Sequence, residues 1–75
     1  MNNIKTLNVI SLIGRVEYCK IEANMVVLDV DDETFYVALN CEDFEKVYNG
    51  KKKVLGVQGK MVKGVVVADK CIFID

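Results

Sequence analysis

The stretch "LNVISLIGRVEY", residues 7–18, decides how this chain is read. Taken as a strand, it is apolar on both sides. Leu7, Val9, Ser11 and Ile13 form one set, and Asn8, Ile10, Leu12, Val16 and Tyr18 the other. A strand with one wet face carries polar residues on that face. Gly14 and Arg15 interrupt the run, and a glycine inside a strand marks a bulge or a tight bend. The expectation is one long strand over residues 4–18, bent at Gly14. One of its faces fills a core, and the other still needs covering.

After this strand, "CKIEAN" is a short connection to a second strand over residues 25–31. There Val26, Leu28 and Val30 alternate with Met25, Val27 and Asp29. "DDE" turns into a third strand, "TFYVALN", in which Phe35, Val37 and Leu39 alternate with Tyr36, Ala38 and Asn40. The helix candidate is "NCEDFEKVYNG". Asn40 can cap it, Glu42 and Asp43 suit the positive end of its dipole, and Gly50 suits its stop. Phe44, Val47 and Tyr48 share one face. Two further strands, "KKVLGVQGKMV" and "VVVADKCIFI", are joined by a tight turn at Lys63 and Gly64. Three strands, a short helix and two strands is the order of the OB-fold. The predicted fold is therefore all-β with a small α element: a five-stranded Greek-key barrel whose one short helix lies between strands 3 and 4.

Seventy-five residues make one domain, spanning 1–75. A chain so short buries only roughly 60–65% of the surface its unfolded form exposes, so its core needs support. Cys19, Cys41 and Cys71 are odd in number and lack CxxC spacing, and no signal peptide is read ahead of them. A reducing cytoplasm is expected. With no His and no close pair of Cys, a zinc site is not expected. Oligomerisation is the support left open. The 52% hydrophobic content argues against disorder. No apolar run approaches the ~20 residues of a membrane-spanning helix, so no membrane partner is expected. A formal net charge of −1 means that any nucleic-acid binding must rest on a local patch.

Three segments carry a family resemblance. "NVISLIGRVE" resembles the opening strand of bacterial single-stranded DNA-binding proteins. "VLGVQGKM" is similar to their fourth strand, and "VVVADKCIFID" to their last, with Ala68, Cys71 and Phe73 at inward positions. The resemblance covers most of the chain in order. It implies an OB-fold, base stacking on aromatic residues, a role in DNA replication or recombination, and subunits paired through their first strands. The chain reads as a short, stripped variant. It has no Trp, its turns are minimal, Gly56 stands in an outward slot that often carries a DNA-contacting side chain, and the sequence ends at "FID" without the family's acidic tail.

On this reading Tyr36 is the stacking candidate, with Phe35 as the alternative one residue out of frame and Tyr18 a lesser surface aromatic. Phe35 reads better as core. Lys51, Lys52, Lys53, Lys60 and Lys63 are candidates for phosphate neutralisation, although a lysine run after a helix also complements its negative end. Arg15 suits a bidentate phosphate contact or a surface pair with Glu17. "DVDDE" reads as a soluble hairpin tip in preference to a calcium loop, which needs more oxygen ligands and a sharp-turn Gly. No nucleophile stands beside a base and no phosphate loop is present, so no enzyme and no cofactor are expected. Strand 1 leaves an apolar surplus outside on either frame: Ile10 and Leu12 if Val9 and Ile13 face the barrel, and a similar surplus on the opposite choice. Extended by Ile72 and Ile74, it predicts a homo-oligomer, a dimer or a tetramer, built on that strand. A second function class fits the same residues: an OB-like protein-interaction module without nucleic-acid binding. Such a module would pair with a larger replication protein, or with a host protein if a mobile element encodes it.

Overall fold

The computed structural model describes residues 9–74. Their order is β1 (Val9–Lys20), a 3₁₀ turn (Ile21–Ala23), β2 (Met25–Val30), β3 (Glu33–Ala38), α1 (Cys41–Gly50), β4 (Val54–Val62) and β5 (Val65–Phe73). The strands close into a barrel in the order β1-β2-β3-β5-β4. β3 and β5 run parallel, and every other pair is antiparallel. This is the expected OB-like barrel with its helix between the third and fourth strands. The start of the predicted first strand, residues 4–8, lies outside the described residues.

β1 closes the barrel by serving two partners. Val9 to Arg15 pair with β4, and Arg15 to Lys20 pair with β2. The handover falls at Gly14 for a steric reason. A Cβ there would lie 2.7 Å from Val30 Cγ2 and 2.9 Å from the Asp29 carbonyl oxygen, so the β2–β3 hairpin can press against the bend only if that atom is missing. Gly59 has the same role on β4, where a Cβ would collide with the Val67 carbonyl of β5.

Two bulges interrupt the ladders. In β1 the register shifts between Val16 and Tyr18, leaving Glu17 as the extra residue. In β5 Gln58 pairs with Lys70 but Gly59 with Ala68, leaving Asp69 as the extra residue. Both hairpins turn in two residues. Asp31 and Asp32 take positive φ in one, and Lys63 and Gly64 in the other, the conformation that matches strand twist.

The core is built from Val26, Leu28, Val37, Leu39, Leu55, Val57 and Val66 of the strands and their flanks, with Phe44 and Val47 of α1. Fewer than three turns of helix bury only that one stripe, so α1 plugs the barrel end without forming a layer of its own. Asn40 caps it as expected: the Asp43 N–H donates to Asn40 Oδ1 at 2.7 Å. The stop differs by one residue. Gly50 remains helical, and Lys51 takes the left-handed conformation, with its N–H donating to the Val47 carbonyl.

The frame of β1 corrects one expectation. Leu12 packs against the core and Ile10 is half-buried, whereas Val9 and Ile13 are exposed. Gly14 dictates this, since the atom it lacks would point at Leu28 and Val30 inside the bend. Ile10 and Leu12 therefore do not form an outward apolar face. Ile72 and Ile74 do point outward, as expected.

Candidate nucleic-acid interface

Alternation places half of each strand on the barrel's exterior, and the registers align those residues into rows. One row runs Tyr18–Val27–Tyr36–Val65 across β1, β2, β3 and β5. Tyr18 is 52% and Tyr36 40% exposed, while Val27 between them is 2% exposed although it lies outside the core cluster. The two rings thus flank a covered valine on an outward sheet face. Adjacent strands are about 4.8 Å apart, so Tyr18 and Tyr36, two strands apart, stand roughly 10 Å from each other.

The neighbouring row runs Lys20–Met25–Ala38–Val67–Lys60 and carries a lysine at each end. The Lys20 ammonium lies 5.6 Å from the centre of the Tyr36 ring. An exposed cation–π contact is worth ~0.5–1 kcal/mol, and a base stacked on an aromatic ~1–3 kcal/mol. A base can therefore take the Tyr36 face and leave Lys20 beside it for a phosphate. Lys63 stands in the turn just past Val62, which pairs with Val65 at the end of the tyrosine row.

On the other side of the tyrosines the row is Arg15–Asp29–Thr34, next to the acidic tip at Asp31, Asp32 and Glu33. Arg15 faces Asp29 across the ladder, and among the described residues it makes no ion pair with Glu17. The face thus grades from acidic at the β2–β3 tip to basic along the Lys20–Lys60 row. A polyanion is favoured on the lysine side.

The structure separates the sequence candidates. Tyr36, Lys60 and Lys63 lie on or beside adjoining outward rows, with Lys60 and the Lys63 turn reached across β5. Phe35 turns inward and packs against the core, paired with Leu28, so it is no stacking residue. Lys51, Lys52 and Lys53 lead from α1 into β4. Lys51 ends the helix, and the Val16 N–H donates to the Lys53 carbonyl at 2.8 Å. That run borders β1 near the Tyr18 end of the row, two strands away from Tyr36. Lys20, read from sequence as part of a connection, is the last residue of β1, and Tyr18 stands in the outward row of Tyr36. Continuing the strand to Lys20 would have put both on one face.

The three cysteines are free. Burial raises the Cys19 thiol, and burial with the nearby Asp43 carboxylate pushes Cys71 up to about 11. Both inward thiols stay protonated at neutral pH. Among the described residues no group of His, Cys, Asp or Glu is arranged to hold a metal ion, and no helix is long and apolar enough to cross a membrane. Comparison with known proteins returns no match: no family model, curated protein or solved structure is significantly similar to the chain.

Proposed function

We propose that this protein is a single-stranded nucleic-acid binding module, with DNA as the expected strand. Bases stack on Tyr36 and Tyr18, and phosphates are held by Lys20, Lys60 and Lys63. The observation that carries this reading is the alignment of two exposed tyrosines in one row beside a row ended by lysines. It acts by binding alone, without catalysis or cofactor, in a reducing cytoplasm where its free thiols persist. A role beside replication or recombination machinery is what the sequence resemblance would imply for such a module.

The test is anisotropy of a labelled oligonucleotide of about twenty thymidines. Three neutralised phosphates give a log–log salt slope near −2, so a tenfold rise in salt weakens binding about a hundredfold. Replacing Lys60 and Lys63 with Ala should flatten that slope. Undetectable binding near 20 mM salt with tens of micromolar protein would overturn the reading. The protein-interaction module is the second reading. It is favoured by the net charge of −1 and by exposed isoleucines on the opposite half of the barrel.

A further inference from the structure

The tyrosine row has lysines on one side and a different set of polar groups on the other. Two residues along from Val27 and Tyr36 lie Asp29 and Thr34, paired with each other, and Asp29 pairs in turn with Arg15 of β1. Alternation sets Asp29 and Thr34 on the outward face of the tyrosines, because Leu28 and Phe35 between them turn inward. Arg15 and Thr34 are exposed and Asp29 is half-buried. Among the described residues neither the Asp29 carboxylate nor the Arg15 guanidinium makes an ion pair or a side-chain hydrogen bond. An acceptor and a forked donor thus stand on neighbouring strands without an internal partner.

The two flanks orient a bound nucleotide. The Lys20 ammonium of β1 meets the Tyr36 ring of β3 at 5.6 Å, a contact that crosses β2. Outward Val27 of β2 is only 2% exposed, as expected for a residue beneath that crossing. A base stacked on Tyr36 is therefore centred close to β2. Its phosphate is drawn to the lysine row and repelled by Glu17, Asp29 and the hairpin tip at Asp31, Asp32 and Glu33, so the base edge far from the sugar turns towards Asp29. The spacing agrees. Residues two apart on a strand are separated by about 6.6 Å. Half the width of a base plus one hydrogen bond spans roughly 6 Å.

The donors on that edge differ between bases. The two oxygens of a carboxylate accept two parallel N–H groups, as they do from arginine. Guanine presents such a pair on its Watson–Crick edge, N1–H and N2–H, with O6 beside them for a guanidinium. Adenine and cytosine each present one amino group next to a ring-nitrogen acceptor. Thymine sets N3–H between two carbonyl oxygens, which a carboxylate repels.

We propose that Asp29, with Arg15 beside it, reads the base stacked on Tyr36 and selects guanine. Asp29 accepts from guanine N1–H and N2–H, Arg15 donates to O6, and thymine is the base held least well. The inference rests on the nucleic-acid reading of the tyrosine row. It adds a base preference that stacking, which every base face satisfies, does not supply.

Anisotropy titrations of the full chain near 20 mM salt test it. The probes are a labelled thymidine strand of about twenty bases and four versions in which about every fourth base is guanine, hypoxanthine, adenine or cytosine. The guanine strand should bind about tenfold tighter than the all-thymidine strand, the discrimination expected of one bidentate contact. Hypoxanthine lacks the N2 amino group and should lose most of that gain. Asp29→Asn should bring all five strands within about twofold of one another, with the far-UV circular dichroism spectrum and the thymidine salt slope unchanged, because the lysines are untouched. Asp32→Asn is the control. It removes the same charge from the hairpin tip, where φ is 69° and Asn is accepted, and should keep the guanine preference. Equal binding of all five wild-type titrations, a hypoxanthine strand as tight as the guanine strand, or equal loss of preference in Asp29→Asn and Asp32→Asn would each overturn this inference alone. Failure of every strand to bind would overturn it together with the nucleic-acid reading.

Discussion

Gly14→Ala probes the bend that closes the barrel. The added methyl would lie 2.7 Å from Val30 Cγ2, 2.9 Å from the Asp29 carbonyl oxygen and 3.3 Å from Leu28 Cβ. Val30 can rotate, but the carbonyl belongs to β2 where Asp29 pairs with Arg15, so relief means opening the β1–β2 ladder. Overpacking alone costs about 1–3 kcal/mol, and loss of ladder geometry sets the expectation at the upper end, near 3 kcal/mol. A domain of this size has roughly 4–11 kcal/mol in all, and each kcal/mol shifts Tm by about 4–8 °C. Thermal and urea denaturation followed by circular dichroism should therefore show Tm falling by about 12–24 °C. Gly56→Ala is the matched control. Its Cβ meets ordinary contacts, and removing a strand glycine should be neutral or stabilise by up to about 1 kcal/mol. A loss below about 1 kcal/mol in Gly14→Ala, or equal losses at the two sites, would refute the steric account of the bend.

Tyr36→Ala and Tyr18→Ala should each weaken oligonucleotide binding by about 1–3 kcal/mol while leaving the salt slope unchanged, as measured by anisotropy titrations at several salt concentrations. Asn40→Ala removes the 2.7 Å cap on the Asp43 N–H and should cost ~1 kcal/mol in urea denaturation, with oligonucleotide affinity unaltered. The Cys71 thiol, raised from 9.0 to about 11 in the folded state, contributes stability that is complete below pH 9 and lost as pH rises towards 11. Urea midpoints across that range should fall less steeply in Cys71→Ala than in the wild type.

The helix was legible because its signals are local. A capping Asn, two acids in the first turn and an apolar i, i+3 pair at Phe44 and Val47 all lie within one short window. The hairpins were legible for the same reason. The order of elements then pointed to the barrel, since few topologies accept three strands, a short helix and two strands. What sequence concealed depends on neighbours distant in the chain. Gly59 is required by the backbone of β5, and nothing in "VQGKM" announces that contact. The inward turn of Leu12 follows from Gly14 lying under Leu28 and Val30, a relation that exists only once β2 has returned against the bend. The end of α1 at Lys51, one residue beyond Gly50, follows from a lysine accepting φ near 51°, as Lys63 also does.

The exterior of the barrel owes both its candidate faces to single extra residues. In an unbroken strand Val16 and Tyr18 would point the same way, as simple alternation grouped them. The bulge at Glu17 puts Val16 against the core and Tyr18 outside, in register with Val27 and so in the row of Tyr36. On β5 the bulge at Asp69 acts alike. Without it Ala68 and Lys70 would share the inward side. With it Ala68, Cys71 and Phe73 pack inward, while Lys70 and Ile72 stand outside beside Gln58 and Gly56. A bulge re-aims every side chain that follows it. One thus assembles the tyrosine row and the other the exposed Ile13–Ile72 patch that covers Gly56, on two outward faces of one closed sheet. The first strand is apolar on both sides because its inward residues fill the barrel, while outward Ile13 belongs to that patch.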